Sequence, residues 1–192
     1  AYAKDAKGSL IFAGMMAQAS RIWKANGKTA EAESFLSKAV KAYEWAQANP
    51  MKASDSSFFG HQIAPPRAYA AAQLLHTTGD KKYDKDFQDF CVWSKRPDAD
   101  TDIYGQYDIQ DASWSYLSCP ASSADPKIQE AIRNAIVKKA DLFMKHCSTM
   151  AYGFIRHPWA PINWGTGAYE NGLNPIVQAY RLTGDKIGRA HV

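Results

Sequence analysis

PPRAYAAAQLLHTTGDKKY, residues Pro65 to Tyr83, holds a helix start, a helix body, a helix stop and the opening of the next helix in one short run. A proline suits the first turn of a helix, where its missing N–H leaves no bond unmade and its φ is already helical, so Pro65 and Pro66 mark a beginning. Tyr69, Ala72 and Leu75 follow on one face at helical spacing. Gly79 then supplies the left-handed residue that ends such a segment. The pattern recurs: AAQLLHTTGDKKY (Ala71 to Tyr83) and VQAYRLTGDK (Val177 to Lys186) share apolar spacing and a Thr-Gly-Asp stop, so each is expected to mark the tip of a helical hairpin.

Working outward, the same signals extend along most of the chain. Asp5 is placed to cap a first helix with Ile11, Met15, Ala19 and Ile22 down one face, closed by Asn26-Gly27. Thr29 is placed to cap a second, carrying Leu36, Val40 and Tyr43, and Pro50 bars its continuation past Asn49. Tyr83, Phe87, Phe90 and Cys91 give a fourth helix and Ile109 to Leu117 a fifth. Asp125-Pro126 opens a sixth with Ile128, Ile132, Ala135 and Phe143, and Ala168 to Thr183 is the seventh. The one β-like stretch, Met150 to Ile155, is flanked by loop residues. The expectation is an all-α fold of about seven helices arranged as hairpins.

Bulk composition narrows the function. At 192 residues, 46% hydrophobic and 22% charged, the chain suits one globular domain able to bury a core. A net charge of +4, with Lys and Arg scattered among Asp and Glu, forms no basic block, so no nucleic-acid partner is expected. The most apolar window, Leu10 to Ala19, is broken by Gly14 and Gln18, so no membrane span is expected. The first residues, AYAKDAKGS, carry no signal peptide. Cys91, Cys119 and Cys147 are odd in number and lack CxxC spacing, which reads as buried thiols rather than disulfides or a zinc site.

Helical hairpins with aromatics near their ends suggest an (α/α) toroid, and three segments resemble one family of that fold, the glycoside hydrolase family 9 cellulases. DAKGSLIFAGMMAQASRIWK resembles the family's Ala-Gln-Ala-Ser-Arg helix. PPRAYAAAQLLHTTGD aligns without a gap on its Asp-Asp/Glu-Arg-x-Trp-Ala-Ala-Ala-Glu-Leu pattern ending in Thr-Gly-Asp. NWGTGAYENGLNPIVQAYRLTGD, Asn163 to Asp185, resembles a late helix that opens on a Trp-Gly turn and closes on Thr-Gly-Asp. The three occur in the family's order, and the similarity spans residues 6 to 185.

The resemblance implies a barrel of six helical hairpins, (α/α)6, of which seven helices make a partial toroid over residues 1–185. It also implies hydrolysis of β-1,4-glucan with inversion, in a secreted or periplasmic setting. Inversion needs one carboxylic acid to protonate the leaving oxygen and an opposed carboxylate, about 6.5–9.5 Å away, to activate water. Neither is identifiable in this chain. The family's base lies in an Asp-Ala-Gly-Asp motif, which Asp5-Ala6-Lys7-Gly8 is not, and its acid is a Glu beyond a His-His-Arg motif absent here. The chain by itself is therefore expected to be inactive. Flat sugar faces pack on aromatic rings, and the resemblance points to three: Trp164 in the Trp-Gly turn, Tyr69 at the position of the family's helix-three tryptophan, and Tyr107 in the loop before helix five. For Tyr69 and Tyr107 simple core packing stands as the competing reading. Pro65 and Pro66 replace the family's acidic pair before Arg67, which removes two carboxylates from the cleft and puts a cellulose substrate in question.

Other constellations carry less. Asp98, Asp100 and Asp102 imitate the start of a calcium loop, yet Ile103 takes its glycine position and Ile109 its glutamate position, so a solvated acidic loop and no cofactor are expected. His61, His76, His146 and His157 lack metal spacing, and Glu170, four residues before Asn174, reads as a surface or capping group. An open arc of hairpins leaves apolar helix faces uncovered, so self-association is expected. One coding string for Lys186 to Val192 and a stop, AAG ATC GGA AGA GCA CAC GTC TGA, contains a short-read sequencing adapter; residues 186–192 are accordingly expected to be a non-native tail. Two readings remain beside the hydrolase: another (α/α) carbohydrate enzyme, a lyase or epimerase using His61 or Tyr107, and a non-catalytic helical-repeat binding protein.

Overall fold

The computed structural model describes residues 5–50, 64–98, 107–149 and 173–184. Among them every regular element is a helix: α1 (Ala6–Ala25), α2 (Thr29–Ala48), α3 (Ala64–Thr78), α4 (Lys81–Phe90), α5 (Val92–Lys95), α6 (Tyr107–Leu117), α7 (Pro126–Ser148) and α8 (Leu173–Thr183). The all-α expectation holds, with one short helix, α5, added between the fourth and fifth expected segments.

Local chemistry sets the boundaries. Asp5 caps α1 by accepting from Gly8 N at 2.6 Å, Asp80 caps α4 through Lys82 N, and Asp125 caps α7 through Lys127 N with Pro126 behind it. The two Thr-Gly-Asp copies end their helices alike. Gly79 and Gly184 take φ of 71° and 73°, their N–H groups donate to Leu75 O and Tyr180 O, and Thr78 and Thr183 donate to the carbonyls four residues back. One expected cap differs: Thr29 is already helical, and Lys28 stands at the N-cap without a side-chain bond. The ammonium has nothing to accept with, so this end relies on packing.

The helices form two layers. α3 packs against α1 on one side, α6 on the other and α4 behind, while α2 pairs with α1 and scarcely touches α3. Thus α1, α3 and α6 make an inner arc, α2 and α4 back it, and α8 packs on α7 at the far end. A tight inner row with splayed outer helices is the curvature of a toroid segment, not a straight ribbon of stacked pairs. The inner row is close-packed because it is built from small residues: Ala13, Ala17, Ala70, Ala71 and Ala72 are fully buried around Leu74 and Leu75.

One face differs from expectation. The buried side of α1 carries Ala6, Leu10, Ala13 and Ala17, whereas Met15 and Ile22, expected to face inward, are about half exposed. α1 is apolar around most of its circumference, so spacing finds an apolar face but not which face is covered. α2 and α3 cover the alanine side. The late helix is described from Leu173 only; residues 150–172, including the β-like stretch and Trp164, and residues 185–192 lie outside the described ones.

Candidate substrate-binding face

The inner helices α1 and α3 run side by side in the same direction, tied at two levels. At the C-terminal level Arg21 donates through Nη1 to Gln73 O at 2.9 Å and Thr77 Oγ1 at 2.6 Å, and through Nη2 to Gln73 Oε1. Thr77 Oγ1 in turn donates to Ala17 O on α1. The charge is met by carbonyl and hydroxyl dipoles near helix C-termini, which suit a cation. Burial lowers the Arg21 pKa, opposed by the nearby Cys119 and Tyr69. Burial likewise pushes the Cys119 thiol up to about 12, so it is an unreactive neutral group. His76 is lowered by burial first and then by Arg21, and its buried Nδ1 has no hydrogen-bond partner among the described residues.

At the N-terminal level the tie is steric. Tyr69, half-buried on α3, lies against α1 at Gly14, where a side-chain carbon would stand 2.6 Å from Tyr69 Cδ1 and closer still to Cε1. Only a residue without Cβ lets the ring approach this closely. The third inner helix is parallel: Cys119, just past the end of α6, lies within electrostatic reach of Arg21. The N-terminal ends of α3 and α6 are therefore at the same end of the arc.

Behind the inner layer a polar bridge holds the outer helices. Asp86 on α4 accepts from Tyr43 OH, from Gln47 Nε2 at 2.8 Å and from Arg67 Nη2 at 3.2 Å, and the Arg67 guanidinium also covers the Phe90 ring at 4.1 Å. Burial, then the Asp86 carboxylate, raise the Tyr43 pKa, so Tyr43 stays a donor. A second tyrosine does similar work: Tyr116 OH donates to Asp84 at 2.6 Å and accepts from Asp125 N at 2.8 Å, joining α4, α6 and the start of α7. Its ring stacks on Phe87 at 3.9 Å.

Of the three aromatic candidates, Tyr69 sits on the inner layer, Tyr107 opens an inner helix and Trp164 lies outside the described residues. Asp98 is exposed, and Asp100 and Asp102 of the calcium-like loop fall outside the described residues. Cys91 and Cys119 are buried, Cys147 is partly so, and no disulfide joins them. Sequence reasoning missed Gly14, Arg21, Asp86 and Lys139. The last is fully buried on the core face of α7 with its ammonium 5.2 Å from the Phe143 ring centre. Its spacing from Ile128, Ile132 and Ala135 carried that signal.

Known proteins agree with this architecture. Endoglucanase D of Acetivibrio thermocellus is 27% identical over 150 residues, covering 74% of this chain and 24% of that protein. The crystal structure of the glycoside hydrolase family 9 endoglucanase J30 superposes with a TM-score of 0.68 at 18% identity, covering 92% of this chain and 33% of that one. A metagenome-derived family 9 endoglucanase gives the same score and identity over 94% and 34%. This chain thus spans about a quarter of the curated relative it matches and a third of the solved ones, whose fold, an (α/α)6 barrel, it shares as an arc. The sequence pattern described as Glycosyl hydrolase family 9 matches residues 4–173, and the chain belongs to that family.

Proposed function

We propose that this chain is part of an inverting glycoside hydrolase acting on β-1,4-glucan, and that its own contribution is to bind and orient the glucan rather than to break it. The observation that carries the reading is the family match over residues 4–173, joined to an inner arc of parallel helices that carries Tyr69. Trp164, Tyr69 and Tyr107 are the proposed stacking residues, since a pyranose ring offers flat C–H faces to an aromatic ring while its hydroxyls need only a few polar partners. The acid and base lie outside these residues. Chemistry by two carboxyl groups needs no cofactor, so none is proposed. Because a glucan polymer is met outside the cell, we infer a secreted or periplasmic setting.

The same reading includes self-association. All five large hydrophobic side chains exposed among the described residues, Phe12, Met15, Ile22, Val177 and Tyr180, lie on α1 and α8, the two ends of the arc. Among the described residues the helices between them leave none, and α3 is packed between α1 and α6.

Binding and hydrolysis test the reading separately. Cellohexaose titrated into the chain should perturb its tryptophan fluorescence, and Trp164→Ala should weaken binding about tenfold. No reducing sugar should be released from carboxymethylcellulose. Measured hydrolysis by the chain alone would place an acid and a base inside it, and an affinity untouched by Trp164→Ala would remove the stacking role.

A further inference from the structure

A Cβ on Gly14 would stand 2.6 Å from Tyr69 Cδ1 and 3.0 Å from Cζ, where ordinary contact begins at 3.4 Å. The obstacle is a ring, held at its base by the α3 backbone, rather than the free end of a flexible chain. Nor can α1 easily back away, because Arg21 clamps it to α3 two turns on through Gln73 and Thr77. Any larger residue at 14 must therefore drive the ring outward by roughly 1 Å, a displacement that forfeits a quarter to a half of a dispersion contact. The α1 side of the ring is covered, and the residue as a whole is half-buried.

From this packing we infer that Gly14 is a positioning residue for glucan binding: it sets the depth at which the Tyr69 ring sits against α1, and hence the height of the platform offered to a sugar ring. The inference rests on the glucan reading above. A ring sunk on a glycine leaves more room over the inner arc than one resting on a side chain.

Three variants decide the matter: Gly14→Ala, Tyr69→Ala and the pair together, each measured for melting temperature and for cellohexaose affinity by calorimetric titration. Gly14→Ala should lower the melting temperature by about 5 °C with Tyr69 present and leave it unchanged in the Tyr69→Ala background. In the folded state below its melting point, Gly14→Ala should weaken cellohexaose binding about tenfold, and the double variant should match Tyr69→Ala in melting temperature and in affinity. Equal losses of melting temperature in both backgrounds would overturn the seat. A Gly14→Ala protein that is less stable but binds with unchanged affinity would show a purely structural glycine and overturn the positioning role. No binding by the unaltered chain overturns the glucan reading, and this inference with it, while the melting-temperature cycle still reports on the seat.

Discussion

Asp86 accepts from Tyr43 and Gln47 on α2 and from Arg67 on α3, so one carboxylate on α4 joins three helices. Removing it leaves a largely buried guanidinium and a phenol without their acceptor, and the loss of an acceptor from a partly buried charge is the expensive case. Asp86→Ala should cost about 3 kcal/mol in chemical denaturation, and Tyr43→Phe, which removes one neutral donor, only about 1 kcal/mol. His76 gives a prediction in pH. Its pKa is lowered in the folded chain, so the unfolded state takes up the proton first as pH falls. The contribution of neutral His76 is thus fully present above the unfolded value of about 6.5 and is lost as pH drops through that value toward the folded one. Replacing it by Gln should flatten the fall in melting temperature between pH 8 and pH 5 relative to the unaltered chain. An unchanged slope would mean that neither burial nor Arg21 opposes its charging.

The helix ends show how short signals become element boundaries. Gly79 has φ of 71° and open space where a Cβ would stand, so its role is conformational and not steric. Gly79→Ala should therefore cost about 1 kcal/mol, the penalty of a side chain in the left-handed region, with the folded packing otherwise intact by far-ultraviolet dichroism. Gly184, with φ of 73° and equally open surroundings, should behave the same way. That matched pair made the two Thr-Gly-Asp stops readable from spacing alone. The first turn of α2 was misread for the opposite reason. Thr29 is a good capping residue, but the chain leaving Gly27 turns one residue early and puts Lys28 at the boundary.

Across the whole molecule, the uncovered ends of the arc are its most consequential feature. Met15 and Ile22 on α1 and Val177 and Tyr180 on α8 expose apolar surface at positions where α3, in the middle, is covered on both flanks. Light scattering during size-exclusion chromatography should show association that grows with protein concentration. Met15→Gln with Ile22→Gln should reduce it without lowering the melting temperature by more than about 2 °C, since exposed side chains contribute little to folding. A monomer at all concentrations would mean that these faces are tolerated as they stand.

Helix content, most boundaries, the two Thr-Gly-Asp helix stops and the family were all legible in residue order, because caps, glycine stops and apolar spacing act within a turn or two of the chain. The aromatic candidates came from the same order, through short motifs of neighbouring residues. Sequence alone could not decide which apolar face of α1 is covered, that Gly14 seats Tyr69, or that Arg21 and Asp86 bind helices together. Those depend on residues tens of positions apart meeting in space. Periodicity records that a helix has an apolar side, and only its neighbours determine which side is turned to the core.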